Sequence, residues 1–294
     1  MILSVKDVHK SYGKEKVLKG ISFEIEKPQI IALVGPNGSG KSTLLNIITN
    51  LLTADSGNVT VLGKSNRNPD IFKDISFMQD NSVLYEYLTG YDHLQFIGDV
   101  QGISRKQITD TADWIGISSY LNKKVGNYSL GMKQHLLLTM AVLNAPKLLI
   151  LDEPLNGLDP TSAIRVRELL VELHKSGTTI LLSSHNLAEI DRVTSTILFL
   201  KNGELIKENI LQHENICYEL VVNDIVKAQS VLEEETIPVE LMGSKLRIYM
   251  EGSSLGGVFR ILEKHEIKLL DLEKIVLGTE ERYQKIFGEK GDKQ

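Results

Sequence analysis

Eight residues, Gly35-Pro-Asn-Gly-Ser-Gly40-Lys41-Ser42, have the types and spacing to hold phosphate. They fit the pattern G-x-x-x-x-G-K-[ST]. Glycines let the backbone curl until its N–H groups converge, and a helix starting there adds the positive end of its dipole. Lys41 can reach a β- and a γ-phosphate, and the Ser42 hydroxyl can ligate Mg²⁺. Pro36, Asn37, Gly38, Ser39 and Thr43 complete the predicted cradle. The implied ligands are a nucleoside triphosphate, ATP, and Mg²⁺.

A second constellation ends the apolar run Leu148-Leu-Ile-Leu with Asp152 and Glu153. Asp152 can hold Mg²⁺ through water, and Glu153 can polarise the water that attacks a γ-phosphate. By themselves two acids after a strand could also form a surface turn. Following a phosphate loop in one chain, they specify a nucleoside triphosphatase.

Both groups need rigid elements behind them. IIALVG, residues 30–35, is a continuous apolar run, as in a parallel strand covered on both faces. It leads into the loop and a predicted helix, Ser42–Leu52. ILSVKDVHKSY and LKGISFEIE alternate as strands, and GNVTVLGK reads as a strand and turn. YDHLQFIGDVQ and RKQITDTADWIGI carry helical spacing, so residues 81–144 read as a helical insertion between strands. LLILDEP and TTILLSSH are buried strands. A helix over Ser162–Ser176 lies between them and ends at Gly177, and another covers Asn186–Val193. STILFLKNGELIKE is a hairpin turning at Asn202–Gly203. The predicted class is an α/β domain spanning residues 1–214.

Residues 215–294 change texture. CYELVV, DIVKAQSVLEEE, IPVELMGSKLRIYME, LGGVFRILEKHE and IKLLDLEKIV read as β-α-β-β-α-β, a ferredoxin-like split module. Its hairpin turns at Gly243–Ser244, and a short helix, Thr279–Gly288, closes the chain. His265 has no evident ligand partner. The module's role is open between packing, dimer support and regulation.

Bulk properties narrow the partners. The chain has 294 residues, 42% of them hydrophobic, and a net charge of −5. That charge opposes nucleic-acid binding by broad basic attraction and a polybasic membrane anchor. Cys217 is the one cysteine, so no intrachain disulfide can form, which fits a reducing compartment. The N-terminus is no secretory signal. The greasiest stretch, Leu136–Leu151, is broken by Asn144, Pro146 and Lys147 and falls short of the ~20 apolar residues of a membrane span. The chain is expected to be soluble, with any membrane work done through a partner.

Further residues carry a family resemblance. Tyr128-Ser129-Leu130-Gly131-Met132 resembles the signature L-S-G-G-Q of ABC transporter ATP-binding subunits, with Leu130 in place of its first glycine and His135 where an arginine is usual. Ser129 can cap a helix and offer its hydroxyl to an anion. Gln79 resembles the Q-loop glutamine that contacts Mg²⁺ and the attacking water. Asn156-Gly157-Leu158-Asp159 resembles the D-loop that reaches across a dimer. His185 resembles the switch histidine on the γ-phosphate, and Tyr12 the aromatic that stacks on adenine. Singly, Gln79, His185 and Tyr12 read better as a surface glutamine, a satisfied loop histidine and a rim aromatic; their joint order carries the resemblance, which covers residues 1–215. The S-L-G-M-K-Q form with an extra C-terminal module is similar to the bacitracin- and lantibiotic-resistance exporters.

The resemblance implies a P-loop ATPase with an antiparallel β subdomain and a helical subdomain. It implies ATP hydrolysis coupled to transport, by export of a peptide, antibiotic or lipid-like compound through a separate membrane permease. Two nucleotide-binding subunits, as homodimer or heterodimer, would sandwich two ATP, each between one Lys41 loop and the other chain's Ser129–Gly131. The place implied is cytoplasmic, peripheral on the inner face of the cell membrane, with no nucleic acid bound. Two alternatives remain at this stage. A transport-free ABC-type ATPase of DNA repair or ribosomes would carry a long coiled coil in its insertion or tandem ATPase halves. A small-molecule kinase would leave Ser129–Gly131, Asp159 and His185 without use.

Overall fold

The computed structural model describes residues 1–206, 216–250, 254–276, 283, 286 and 287. Two compact units emerge, Met1–Lys207 and Glu208–Gln294.

In the first unit, β1 (Leu3–Tyr12) and β2 (Glu15–Ile25) alternate and pair antiparallel. β3 (Ile30–Val34) is buried at every position and ends at the glycine-rich loop. α1 (Lys41–Ile48) follows. It stops sooner than expected because Asn50 turns left-handed, φ 57°, a conformation asparagine tolerates. β4 (Ser56–Val61) and β5 (Lys64–Ser65) complete an antiparallel sheet in the order β2-β1-β4-β5.

β6 (Ile75–Met78) opens the helical insertion. It comprises α2 (Gly90–Gln101), α3 (Arg105–Ile115) and α4 (Leu130–Val142), whose N-termini are capped by the side chains of Thr89, Ser104 and Ser129. Each cap satisfies a backbone N–H that has no partner within its helix. Then come β7 (Leu148–Leu151), α5 (Pro160–Lys175), β8 (Thr179–Ser184), the short α6 (Leu187–Ile190), β9 (Ile197–Lys201) and β10 (Glu204–Ile206). Asn202 and Gly203 turn the last hairpin with φ 52° and 81°, the left-handed pair of a type I′ turn.

The central sheet runs β10-β9-β3-β8-β7-β6, with β9 through β6 mutually parallel and β10 antiparallel at the edge. β3, β7 and β8 are buried throughout, as strands covered on both faces must be. One core joins Leu3, Val5 and Val8 of β1, Leu44, Leu45 and Ile48 of α1, and Ile31, Leu33, Ile150 and Leu181 of the central sheet. The helix behind the phosphate loop is therefore fixed by packing to both sheets.

The second unit contains β11 (Ile216–Val222), α7 (Ile225–Glu234), β12 (Val239–Met242), β13 (Lys245–Tyr249), α8 (Leu255–Lys264) and β14 (Leu269–Val276). Its antiparallel sheet has the order β12-β13-β11-β14, the split β-α-β arrangement. Leu220, Leu246 and Ile248 pack with Ala228, Leu232, Val258 and Leu262 of the two helices as a core of its own. The expected boundary at 214/215 falls among residues 207–215, outside the described residues. The closing helix also lies largely outside them; Tyr283, Ile286 and Phe287 are helical. Among the described residues no helix is long and apolar enough to cross a membrane.

Candidate active site

Strand register collects the chemistry at one edge. Val34 pairs with Ser184, Leu151 with Leu182, and Met78 with Leu151. The residues just beyond these ends are Gly35, His185, Asp152 and Gln79, so the C-terminal edge of the parallel sheet carries them all. Crevices for ligands form at such edges.

The loop needs its glycines for space as well as for conformation. A Cβ on Gly35 would lie 2.4 Å from the Leu200 carbonyl oxygen and 2.7 Å from Ser39 Oγ. Gly40, at φ 102°, caps α1, and a Cβ there would lie 2.9 Å from Leu18. Lys41 Nζ curls back to donate to the carbonyls of Gly35 at 2.8 Å and Pro36 at 3.3 Å. Ser42 and Thr43 start α1, with Ser42 exposed. Pro36, Asn37, Gly38 and Ser39 line a cleft of about 490 Å³ whose far wall is Lys16, Val17, Asn202 and Gly203. Ser39 Oγ is buried with no hydrogen-bond partner among the described residues. Such a hydroxyl costs free energy until a ligand oxygen meets it.

The acids after β7 are held from β8. Ser183 Oγ donates to Asp152 Oδ1 at 2.5 Å and accepts from the Glu153 N–H at 2.9 Å. Glu153 itself turns left-handed, φ 52°, a conformation that costs a β-carbon residue about 1–2 kcal/mol. Gln134 of α4 donates to the Glu153 carbonyl at 3.2 Å. The Glu153 carboxylate accepts from His185 Nδ1 at 2.8 Å, and its other oxygen lies 3.8 Å from Lys41 Nζ. Lys41 and His185 thus converge on the Glu153 carboxylate, with Lys41 only 7% exposed.

Ser183 and Gln134 had no predicted role. Ser183 carried a signal, a polar residue inside a buried apolar strand, where an unpartnered hydroxyl is costly. Ser183→Ala leaves Asp152 and the Glu153 N–H each without a partner. It is expected to cost about 1–3 kcal/mol of stability, read by chemical denaturation. Phosphate release should slow by about tenfold with ATP affinity little changed.

The other predicted residues lie as follows. Gln79 is half-buried at the start of the insertion, next to the Met78 carbonyl that accepts from the Asp152 N–H at 3.0 Å. Tyr12 ends β1 exposed, with Lys10 Nζ 5.8 Å from its ring centre, and the cleft is lined by the nearby Glu15, Lys16 and Val17. Ser129 caps α4 by accepting from the Met132 N–H at 3.2 Å. Leu130 is exposed over Gly157, and Gly131 faces Ser162 and Asp159. Asp159 caps α5, accepting from the Thr161 and Ser162 N–H groups and the Ser162 hydroxyl. The Ser162 hydroxyl, then the backbone N–H groups, hold its carboxyl below the usual carboxylate range. Burial lowers the His135 imidazole below its ordinary value. Among the described residues no hydrogen bond joins Ser129, Leu130 or Gly131 to their own phosphate loop.

The donor set fits a phosphate-bound Mg²⁺. Among the described residues no group of three or more His, Cys, Asp or Glu side chains could cage a metal. Mg²⁺ held with substrate phosphates needs only one or two protein oxygens. Ser42 and Asp152 offer a hydroxyl and a carboxylate.

Residues 18–156 match the family described as ABC transporter. The chain is 35% identical over 225 residues to the lantibiotic transport ATP-binding protein SrtF of Streptococcus pyogenes, covering 76% of this chain and 98% of that protein. It is 30% identical to the bacitracin transport ATP-binding protein BcrA of Enterococcus faecalis, over 98% of this chain and 96% of that one. A solved ATP-binding subunit of an ABC transporter superposes with a TM-score of 0.66 at 25% identity, covering 90% of this chain and 100% of its own. An ATP-binding cassette in its ADP conformation superposes at 0.60 with 26% identity, over 70% and 89%.

Proposed function

The chain belongs to the ATP-binding subunits of ABC transporters, and from that premise we propose that it drives export of a peptide, antibiotic or lipid-like compound through a separate membrane permease. As a family member it binds and hydrolyses ATP to power transport. The export reading is supported by the lantibiotic and bacitracin relatives. The bacitracin type is favoured by coverage: BcrA aligns with 98% of the chain, whereas SrtF aligns with 76%. The accessory domain, residues 215–294, is assigned to that longer type.

The observation that carries the site's chemistry is the Lys41–Glu153–His185 cluster. Lys41 and His185 both face an anionic oxygen of Glu153. A γ-phosphate on the loop competes for those same donors. As they turn to it, the Glu153 carboxylate is released to accept a proton from the attacking water. The loop N–H groups, Ser39 and Thr43 cradle the phosphates, and Tyr12 is assigned to adenine. Ser42, Gln79 and water-linked Asp152 would hold Mg²⁺, which neutralises charge on the phosphates when bound.

The Ser129–Gly131 segment and Asp159 are assigned to the ATP of a second copy of the chain. That, among the described residues, no hydrogen bond joins Ser129, Leu130 or Gly131 to the chain's own loop supports this.

The permease surface is assigned to the insertion. Tyr85, Tyr87, Phe96 and Val100 are 58%, 69%, 70% and 67% exposed. Beside them lies a cavity of about 320 Å³ lined by Phe72, Phe77, Ile97, Met140 and Gln79. Exposed apolar area of this kind marks a partner surface, and Gln79 gives it a wall in common with the nucleotide edge. The protein is accordingly placed in the cytoplasm, peripheral on the inner face of the membrane. Of the two marks of a transport-free ATPase, a long coiled coil in the insertion or tandem ATPase halves, the first is not met: the insertion's helices have 12, 11 and 13 residues.

Purification from native membranes tests this reading. A polytopic membrane protein should accompany the chain, and its absence from a clean complex would overturn the permease assignment. Phe96→Glu should abolish that association while basal hydrolysis stays within about twofold, since the residue is remote from the phosphate loop in sequence and outside its cleft.

A further inference from the structure

The turn that presents Glu153 has left-handed residues at both ends, Glu153 at φ 52° and Gly157 at φ 70°. Its internal support is one hydrogen bond, from the Asn156 N–H to the Glu153 carbonyl at 3.1 Å. A strained turn of this length needs holding from outside. Two residues of α4 supply it. Gln134 Nε2 donates to the same Glu153 carbonyl at 3.2 Å. Leu130 lies so close over Gly157 that a Cβ there would sit 2.4 Å from Leu130 Cδ2. Leu130 and Gln134 are four residues apart and therefore share one face of α4.

We propose that Leu130 and Gln134 are positioning residues for hydrolysis: from one face of α4 they clamp the Glu153–Gly157 turn and set where the Glu153 carboxylate lies. The inference rests on the reading of Glu153 as the residue that orients water. It gives the bulky side chain at 130, where the family signature has glycine, a use within its own subunit. A side chain at 157 would push the Leu130 methyl aside. Because α4 begins at the segment assigned to the other subunit's ATP, a shift of that helix on nucleotide contact moves the first subunit's own acid. The clamp is thus a route from one ATP site to the other.

The test compares steady-state phosphate release and binding of a fluorescent ATP analogue in the full-length chain. Leu130→Ala and Gln134→Ala should each lower kcat by about tenfold, as a misplaced general base does. For Gln134→Ala, which lies outside the Ser129–Gly131 segment, analogue affinity should stay within about twofold of the unaltered chain. Gly157→Ala, whose methyl displaces Leu130, should act in the same direction. Leu130→Met, which conserves volume, should keep more than half the rate. Should Gln134→Ala fail to fold, Leu130→Ala still decides, because Leu130 is 45% exposed. Unchanged kcat in Leu130→Ala overturns the clamp. So does a raised KM at unchanged kcat, which would leave Leu130 a phosphate-side contact only. Full activity in Glu153→Gln would remove the reading beneath the clamp, and the clamp with it.

Discussion

Glu153→Gln should bind ATP within about threefold of the unaltered chain and hydrolyse it about 100- to 1000-fold more slowly. The amide is nearly isosteric with the carboxylate. Its oxygen can still accept from His185 Nδ1, the 2.8 Å bond of the native side chain. Ser183 still supports the backbone N–H at 2.9 Å, so the turn stays in place. What the amide lacks is a negative oxygen able to take a proton from water at neutral pH. Loss of charge also removes the attraction to Lys41 at 3.8 Å, which leaves that ammonium free for phosphate. Single-turnover hydrolysis beside equilibrium binding separates the two effects, and a hydrolysis rate equal to the native one would remove Glu153 from the mechanism.

Lys41→Ala should weaken ATP binding by about 100-fold or more. The native ammonium is buried, with its hydrogens directed to the Gly35 and Pro36 carbonyls, so it is pre-positioned over the cradle. Each charge-assisted hydrogen bond to a phosphate oxygen contributes about 1.5–3 kcal/mol, and Lys41 is assigned two. Alanine also leaves the Glu153 carboxylate facing the triphosphate without a cation between them. Calorimetric titration gives the affinity. The melting curve should show the fold retained, because α1 is anchored by Leu44, Leu45 and Ile48 and not by Lys41.

Much of this site is legible in the sequence because its parts are local. The phosphate loop lies between a five-residue apolar strand, β3, and its helix, so spacing alone specifies the cradle. Asp152 and Glu153 follow a run as apolar, β7. The support is not local. Ser183 reaches Asp152 across adjacent strands, and nothing in either run states that β7 and β8 are neighbours. Gln134 acts on a carbonyl 19 positions away. The left-handed backbone of Glu153 is invisible in a residue type that seldom adopts it. Tyr12 illustrates the converse: it stands exposed beside Lys10, and its base-stacking role comes from the family resemblance alone. In the second unit, alternation identified the strands, but only pairing revealed the order β12-β13-β11-β14.

The central claim is that one chain holds half of an ATP site and a second copy completes it. The mass of the Glu153→Gln protein in solution, measured by light scattering with saturating Mg²⁺ and ATP and again with ADP, tests it most directly. The account predicts a dimer with ATP and a monomer with ADP, because only ATP presents a γ-phosphate for the second chain's Ser129–Gly131. A monomer under saturating ATP, together with full hydrolysis by the dilute native chain, would contradict it.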